Sequence, residues 1–157
     1  MAKRYATVHS PIGELVVWGE NGSLTGLSFT DSRKAAAVDP SWQHDDAAFA
    51  EVAEQLRAYF AGELTRFELD LEPHGTQFQR RVWDALLEIP YGSTTTYAQL
   101  ASELGDPRGT RAVGLANGRN PIAIIIPCHR VIGSNGSLTG YGGGLERKRW
   151  LIEHDRR

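Results

Sequence analysis

The chain is short of thiols, of long apolar runs and of net charge. One cysteine and one methionine occur among its 157 residues. A lone thiol excludes an intramolecular disulfide framework and a cysteine-rich zinc site, since each needs several sulfurs. No segment approaches the roughly 18 consecutive apolar residues of a membrane span. The start, MAKRYATVHSPIGELVVWG, has basic residues but no apolar stretch suited to a signal peptide. These absences point to an intracellular, cytoplasmic protein with no membrane association, in a reducing compartment where a free thiol survives. Hydrophobic residues at 41% and charged residues at 23% are ordinary for a globular chain. The length suffices for one good-sized core or two small ones.

The net charge of −2 is an average over two unlike parts. Residues 1–107 carry 8 Lys and Arg against 16 Asp and Glu, whereas residues 108–157 carry 9 against 3. A polyanion could lie on the C-terminal third while the remaining surface stays acidic. A solvated basic face explains the same numbers, and charge alone does not choose between them.

Hydrophobic patterning gives the class as α+β: a small N-terminal antiparallel sheet with a helix, then a mostly helical half with a winged-helix-like helix-turn-helix. Residues 5–30 alternate and turn as a β-meander, with Asn21-Gly22 as the hairpin signal. Residues 45–61 place Phe49, Val52, Leu56, Tyr59 and Phe60 on one helical face, with acidic residues in the first turn and Gly62 after the last. TRFELDLE, at 65–72, alternates as a final strand of this half. PHGT at 73–76 then breaks regular structure and divides residues 1–72 from 76–157. A helix from Gln77 follows, capped by Thr76 and burying Phe78, Val82, Trp83 and Leu86.

In STTTYAQLASELGDPRGTRAVGLANGRNP a short helix runs from a Ser93 or threonine cap through Leu104. Gly105-Asp106-Pro107 turns the chain, and a second helix runs from about Gly109 to Ala116. Major-groove readers present long polar side chains, but this helix offers Ala112, Gly114, Ala116 and one arginine, Arg111. Small residues allow close approach, which suits a minor groove about 6 Å wide. Arg111 could then fill the place of a base removed from the stack. Close packing of the helix on a neighbouring element would use the same residues.

The single thiol stands in IAIIIPCHRVIGSNG, between Pro127 and His129. A cysteine in such a place is ordinarily a small inert core residue. Chemistry needs the thiolate, and a thiol of pKa about 8.5 is only a few per cent ionised at neutral pH. His129 could take the proton, directly or through one water, if a carboxylate fixes its tautomer. Glu146, Glu153 and Asp155 on the C-terminal helix are the candidates. Pro127 stiffens the approach, Arg130 adds positive charge, and VIGSNGSLTGYGGG reads as a hairpin turning at Asn135-Gly136 before a flexible glycine run. The glycines lack the strand and helix context of a dinucleotide fingerprint.

Taken in order, RAVGLANGRNP, IPCHRVIG, GYGGG and RKRWLIEHD resemble the O6-alkylguanine-DNA alkyltransferases over about residues 76–155. The resemblance implies a DNA repair protein that moves an alkyl group from O6-alkylguanine in duplex DNA onto its own cysteine, once, after base flipping. Cys128 would be the acceptor and His129 the base acting through a water. Asn120 would shape the turn around the thiol. Tyr97 would contact the backbone at the flipped nucleotide and donate a proton to the leaving guanine. Arg111, Ala112, Gly114 and Ser134 would meet DNA, and Val131, Ser134, Tyr141 and Gly142 would form the base pocket. The family usually has a glutamate behind the histidine, where this chain has the shorter Asp155, with Glu153 as the alternative. Some members bind zinc through N-terminal cysteines, which are missing here, so neither metal nor cofactor is expected. The implied partner is double-stranded DNA bearing O6-alkylguanine, bound by a monomer; O4-alkylthymine as a second lesion and cooperative binding stay open.

The product would be a thioether, a poor leaving group, so each molecule should react once. Two other classes compete. A cysteine hydrolase would need amide donors for an oxyanion, and its nucleophile and base usually come from distant positions. A recognition module for alkylated DNA would bind without chemistry, but relatives that only bind lack the cysteine.

Overall fold

The computed structural model describes residues 3–157, except for the side chains of residues 36 and 37. Strands β1 (Arg4–Val8), β2 (Leu15–Glu20) and β3 (Ser23–Phe29) form the antiparallel meander. The β2–β3 turn is built on Asn21 (φ 55°) and Gly22 (φ 82°), the two positive angles a tight hairpin demands. A short β4 (Gln43–His44) adds to β1 in parallel, giving the order β3-β2-β1-β4. The sheet is therefore mixed rather than purely antiparallel.

The strand expected at residues 65–72 does not form. The outer edge of β3 is shared by two visitors, each making one bridge: Leu71 beside Leu24, and Ile122 beside Leu27. Residues 70–72 bond only to Leu24, through Leu24 N to Asp70 O and Glu72 N to Leu24 O, both 2.8 Å. Upstream, the backbone is held by α1 instead, with Gln55 donating to Glu68 O and accepting from Glu68 N. The ladder cannot lengthen because its edge is already taken by the segment that leads to Cys128.

Helix α1 (Ala50–Phe60) starts later than its acidic prelude suggests. Asp45 turns its carboxylate onto Ala48 N at 3.1 Å, and residues 47–49 make a 3₁₀ turn first. Gly62 (φ 78°) closes the helix, with Glu63 N reaching back to Ala58 O. Helix α2 (Gln77–Leu87) has a reciprocal cap, Gln79 N to Thr76 Oγ1 and Thr76 N to Gln79 Oε1. Val82, Trp83 and Leu86 are buried, while Phe78 is only half-buried.

Thr96 caps α3 (Tyr97–Glu103), the turn follows, and α4 (Thr110–Gly118) is the second helix of the pair. Trp83 Nε1 donates to Ala116 O at 2.8 Å, which seats α4 on α2. The hairpin expected around Asn135-Gly136 is only a turn, closed by Gly133 N to Ser137 O and Gly136 N to Gly133 O. Its upstream strand β6 (Val131–Ile132) pairs in parallel with β5 (Thr95–Thr96), so no antiparallel partner follows. The glycine run beyond it is packed: a Cβ on Gly143 would lie 2.5 Å from the Phe29 ring. Helix α5 (Leu145–Asp155) closes the chain. One contiguous apolar cluster draws on β2, β3 and α1 as well as α2, α3, α4 and residues 122–131. No helix among the described residues is long and apolar enough to cross a membrane.

Candidate active site

Cys128 is delivered by two successive three-residue turns. Ile125 N bonds to Ala123 O at 2.7 Å across Ile124, whose φ of 70° is a left-handed angle that a β-branched residue rarely takes. Cys128 N then bonds to Ile126 O at 2.8 Å across Pro127, at φ −81° and ψ 64°. Asn120 staples the first of these loops, accepting from Ile122 N at 3.0 Å and donating to Ile126 O at 2.8 Å. The apolar run is thus a coiled approach rather than a strand, and its outward bonds go to β3: Leu27 N to Pro121 O and Ala123 N to Leu27 O. Strain of order 1–3 kcal/mol at Ile124 is held by this surrounding network.

Cys128 opens a 3₁₀ turn, Cys128–Arg130, and is almost wholly buried. Its cleft is small, about 20 Å³, and is bordered by Phe29, Lys34, Asn117, Ala123, Tyr141 and Gly142 among others. Burial pushes the thiol pKa up, and a hydrogen bond from Asn120 and the charges of Lys34 and Lys148 pull against it. Lys34 is anchored by Gly118 O and Asn120 O at 2.8 and 2.7 Å. Lys148 has no exposed surface and donates to Thr139 O at 2.7 Å. Burial lowers the pKa of both ammonium groups, and the thiol raises it.

His129 is fully buried, with Nε2 2.9 Å from Asp155 Oδ2. An ionised Asp155 accepts there, so Nε2 carries the proton and Nδ1 is left as a lone-pair acceptor without a protein partner. Burial would raise the Asp155 pKa, but bonds from His129 and Tyr59 and the charge of Arg130 hold it down at about 2. Burial lowers the His129 pKa, opposed by the carboxylate. Glu153 and Glu146 are exposed on the other side of the helix. The shorter Asp155 therefore reaches the imidazole without help.

The remaining expected residues divide into two groups. Tyr141 and Gly142 border the cleft, and the Tyr141 hydroxyl is buried without a partner. Tyr97 stands nearby, its hydroxyl donating to Thr139 O, the carbonyl that also accepts from Lys148. Gly114 faces the Tyr97 ring, where a Cβ would make ordinary contact at 3.8 Å. Val131 is wholly buried in the core and Ser134 is exposed on the turn, and neither borders the cleft. Arg111 and Ala112 are exposed on α4.

Sequence reasoning passed over Lys34, Lys148, Tyr59 and Leu115. Lys148 carried a readable signal: with Leu151, Ile152 and Asp155 it sits at helix positions i, i+3, i+4 and i+7, on the buried stripe. Leu115 is 63% exposed, between Arg111 and Arg119 on the outer face of α4. Lys34 carried no signal, because its partners lie more than eighty residues away. A larger cavity of about 470 Å³, between the β2–β3 turn, α1 and residues 68–70, contains neither cysteine nor histidine. No metal-ligating cluster of three or more His, Cys, Asp or Glu occurs among the described residues.

The ribonuclease-like domain of 6-O-methylguanine DNA methyltransferase matches residues 3–73, and the DNA-binding domain of the same family matches residues 77–157. A methylated-DNA–protein-cysteine methyltransferase of Methanosarcina acetivorans is 52% identical over 149 residues, covering 95% of this chain and 96% of the relative. One from Mycobacterium tuberculosis is 54% identical over 152 residues, covering 95% and 90%. The crystal structure of Mycobacterium tuberculosis OGT in complex with DNA superposes with a TM-score of 0.91 at 52% identity, over 98% of this chain and 92% of that one. An O6-methylguanine-DNA methyltransferase from Pyrococcus kodakaraensis keeps a TM-score of 0.74 at 26% identity. The chain belongs to the O6-methylguanine DNA methyltransferase family.

Proposed function

We propose that this protein repairs duplex DNA by moving the alkyl group of O6-alkylguanine to Cys128, each molecule acting once. The observation that carries the reading is the sole thiol of the chain, seated in a cleft beside a buried His129–Asp155 pair at the C-terminal end of α4. Transfer is a displacement at an sp³ carbon: the sulfur–carbon bond forms as the carbon–O6 bond breaks. The thiol proton passes through a water to His129 Nδ1, and Tyr97 protonates the departing guanine. No tetrahedral oxyanion forms, and the charge that develops on the departing guanine is met by that proton, so the site requires alignment and proton management rather than an oxyanion hole.

A base inside the duplex is out of reach and must be turned out at a cost of a few kcal/mol. The exposed face of α4 supports that step, with Arg111, Leu115 and Arg119 spaced four residues apart and Ala112 and Gly118 between them. Arginines meet phosphates and the vacated stack, and a leucine between small residues suits the walls of a minor groove. The cleft is too small for a purine as it stands. Residues 140–143 therefore move aside, bringing Tyr141 and Gly142 against the base, while Ser134 on the exposed turn meets the DNA and Val131 stays in the core beneath. Residues 1–72 and 76–157 act as two domains, the second binding DNA and carrying the thiol, in a cytoplasmic monomer.

A recognition-only module has no use for a thiol backed by a buried histidine–carboxylate pair. The test is Cys128→Ala offered a duplex with one O6-methylguanine. Retained binding with complete loss of methyl removal supports the reading; methyl removal by the alanine variant sinks it.

A further inference from the structure

Asp155 accepts from three donors, and one of them comes from the opposite half of the chain. His129 Nε2 and Arg130 Nε both lie 2.9 Å from Oδ2, which leaves Oδ1 to the Tyr59 hydroxyl. Tyr59 stands in the last turn of α1, with no exposed surface, its ring against Phe60, Phe67, Tyr91 and His154. Its own carbonyl accepts from His154 Nε2 at 2.7 Å. One residue of α1 thus grips two consecutive residues of α5, by main chain at His154 and by side chain at Asp155.

We propose that Tyr59 is a positioning residue for alkyl transfer, fixing the Asp155 carboxylate so that its other oxygen holds His129 in the tautomer that frees Nδ1. The proposal rests on the reading above, in which Asp155 and His129 serve Cys128.

The geometry carries it. A carboxylate with both donors on one oxygen can rotate about its Cβ–Cγ bond, exchanging its oxygens or tilting away from the imidazole. A hydroxyl donating to Oδ1 removes that freedom and satisfies the second oxygen, which burial would otherwise leave unpaired. A position that needed only aromatic bulk would be served by phenylalanine without the cost of burying a hydroxyl. The N-terminal half therefore takes part in proton management at the thiol, although it contributes no atom to the reacting groups.

The titratable groups around Asp155 come from four elements. His129 and Arg130 approach from the 3₁₀ turn, Tyr59 from α1, Tyr91 from the segment after α2, and Tyr141 from the loop before α5. Of these, Tyr59 is the only one whose hydroxyl touches the carboxylate. Removing a donor from a carboxylate raises its pKa in the folded state, so the acid limb of the rate profile must move to higher pH.

The experiment measures single-turnover methyl transfer from an O6-methylguanine duplex against pH, for wild type, Tyr59→Phe, Asp155→Asn and the double variant. The final amplitude counts competent molecules, so misfolded protein does not enter the rate. Tyr59→Phe keeps the ring and its packing. It is expected to slow transfer about tenfold at pH 7, to move the acid limb upward, and to cost nothing further in the Asp155→Asn background. An equal cost in both backgrounds, or an unmoved acid limb, overturns the proposal and leaves Tyr59 a structural residue. A wild-type rate for Asp155→Asn alone overturns instead the reading on which it rests.

Discussion

Replacing Asp155 by asparagine removes one charge from a site where three donors converge, and its cost can be worked from two directions. The folded carboxyl titrates at about 2 against an ordinary 3.8. A depression of that size corresponds to about 2–3 kcal/mol of stability. The contribution is complete well above pH 4, where unfolded Asp155 is also ionised, and is lost as pH falls through the folded value. Breaking a buried ion pair by deleting one partner gives about 3–5 kcal/mol, and Arg130, 9% exposed at its side chain, would be left without its counter-ion. The two routes bracket a loss of about 2–5 kcal/mol at pH 7. Urea unfolding of both proteins between pH 7 and pH 3 reads it directly. The gap between wild type and variant should be largest near neutrality and shrink by about 1 kcal/mol by pH 3. A gap below about 1 kcal/mol at pH 7, or one that does not narrow in acid, would refute the assignment of Asp155 as the buried, ionised hub.

Asn120→Ala leaves Ile122 N without its acceptor and leaves Ile126 O with Cys128 N as its remaining donor in the loop that carries the thiol, so it should lose about 1–3 kcal/mol in urea and react more slowly; an unchanged unfolding midpoint would contradict this. Lys34→Met removes a cation that favours the Cys128 thiolate, and the rise of thiol alkylation by iodoacetamide with pH should move to higher pH. Superimposable profiles would show that Lys34 only braces the end of α4. Leu115→Ala, at an exposed position on the face of α4, should change stability by less than about 0.5 kcal/mol yet weaken duplex binding severalfold in a fluorescence titration. Unaltered affinity would mean that this face does not meet DNA.

What the sequence revealed was whatever depends on near neighbours. The Thr76 cap needs only Gln79, and Gly62 needs only the turn before it, so both ends were legible. Asn21-Gly22 likewise announces its turn locally. The strand expected at 65–72 failed because its alternation says nothing about who else pairs with β3, and residues 121–123 hold the rest of that edge. The hairpin around Asn135-Gly136 did not form for a similar reason, since Val131–Ile132 pairs with Thr95–Thr96 across thirty-odd residues rather than with its own hairpin partner. At the site, the cysteine and histidine are adjacent and could be read together, whereas Asn120 joined them only through the family resemblance. Tyr59 and Lys34 reach the same site from the N-terminal half, and no spacing rule connects residues so far apart in sequence.

The decisive observation is where the alkyl group ends. Wild-type protein incubated with an excess of duplex bearing one O6-methylguanine should gain a single methyl group per chain, mapped by peptide mass to Cys128, and then stop. Repair that continues past one equivalent, or a methyl group found on any other residue, would contradict that single transfer.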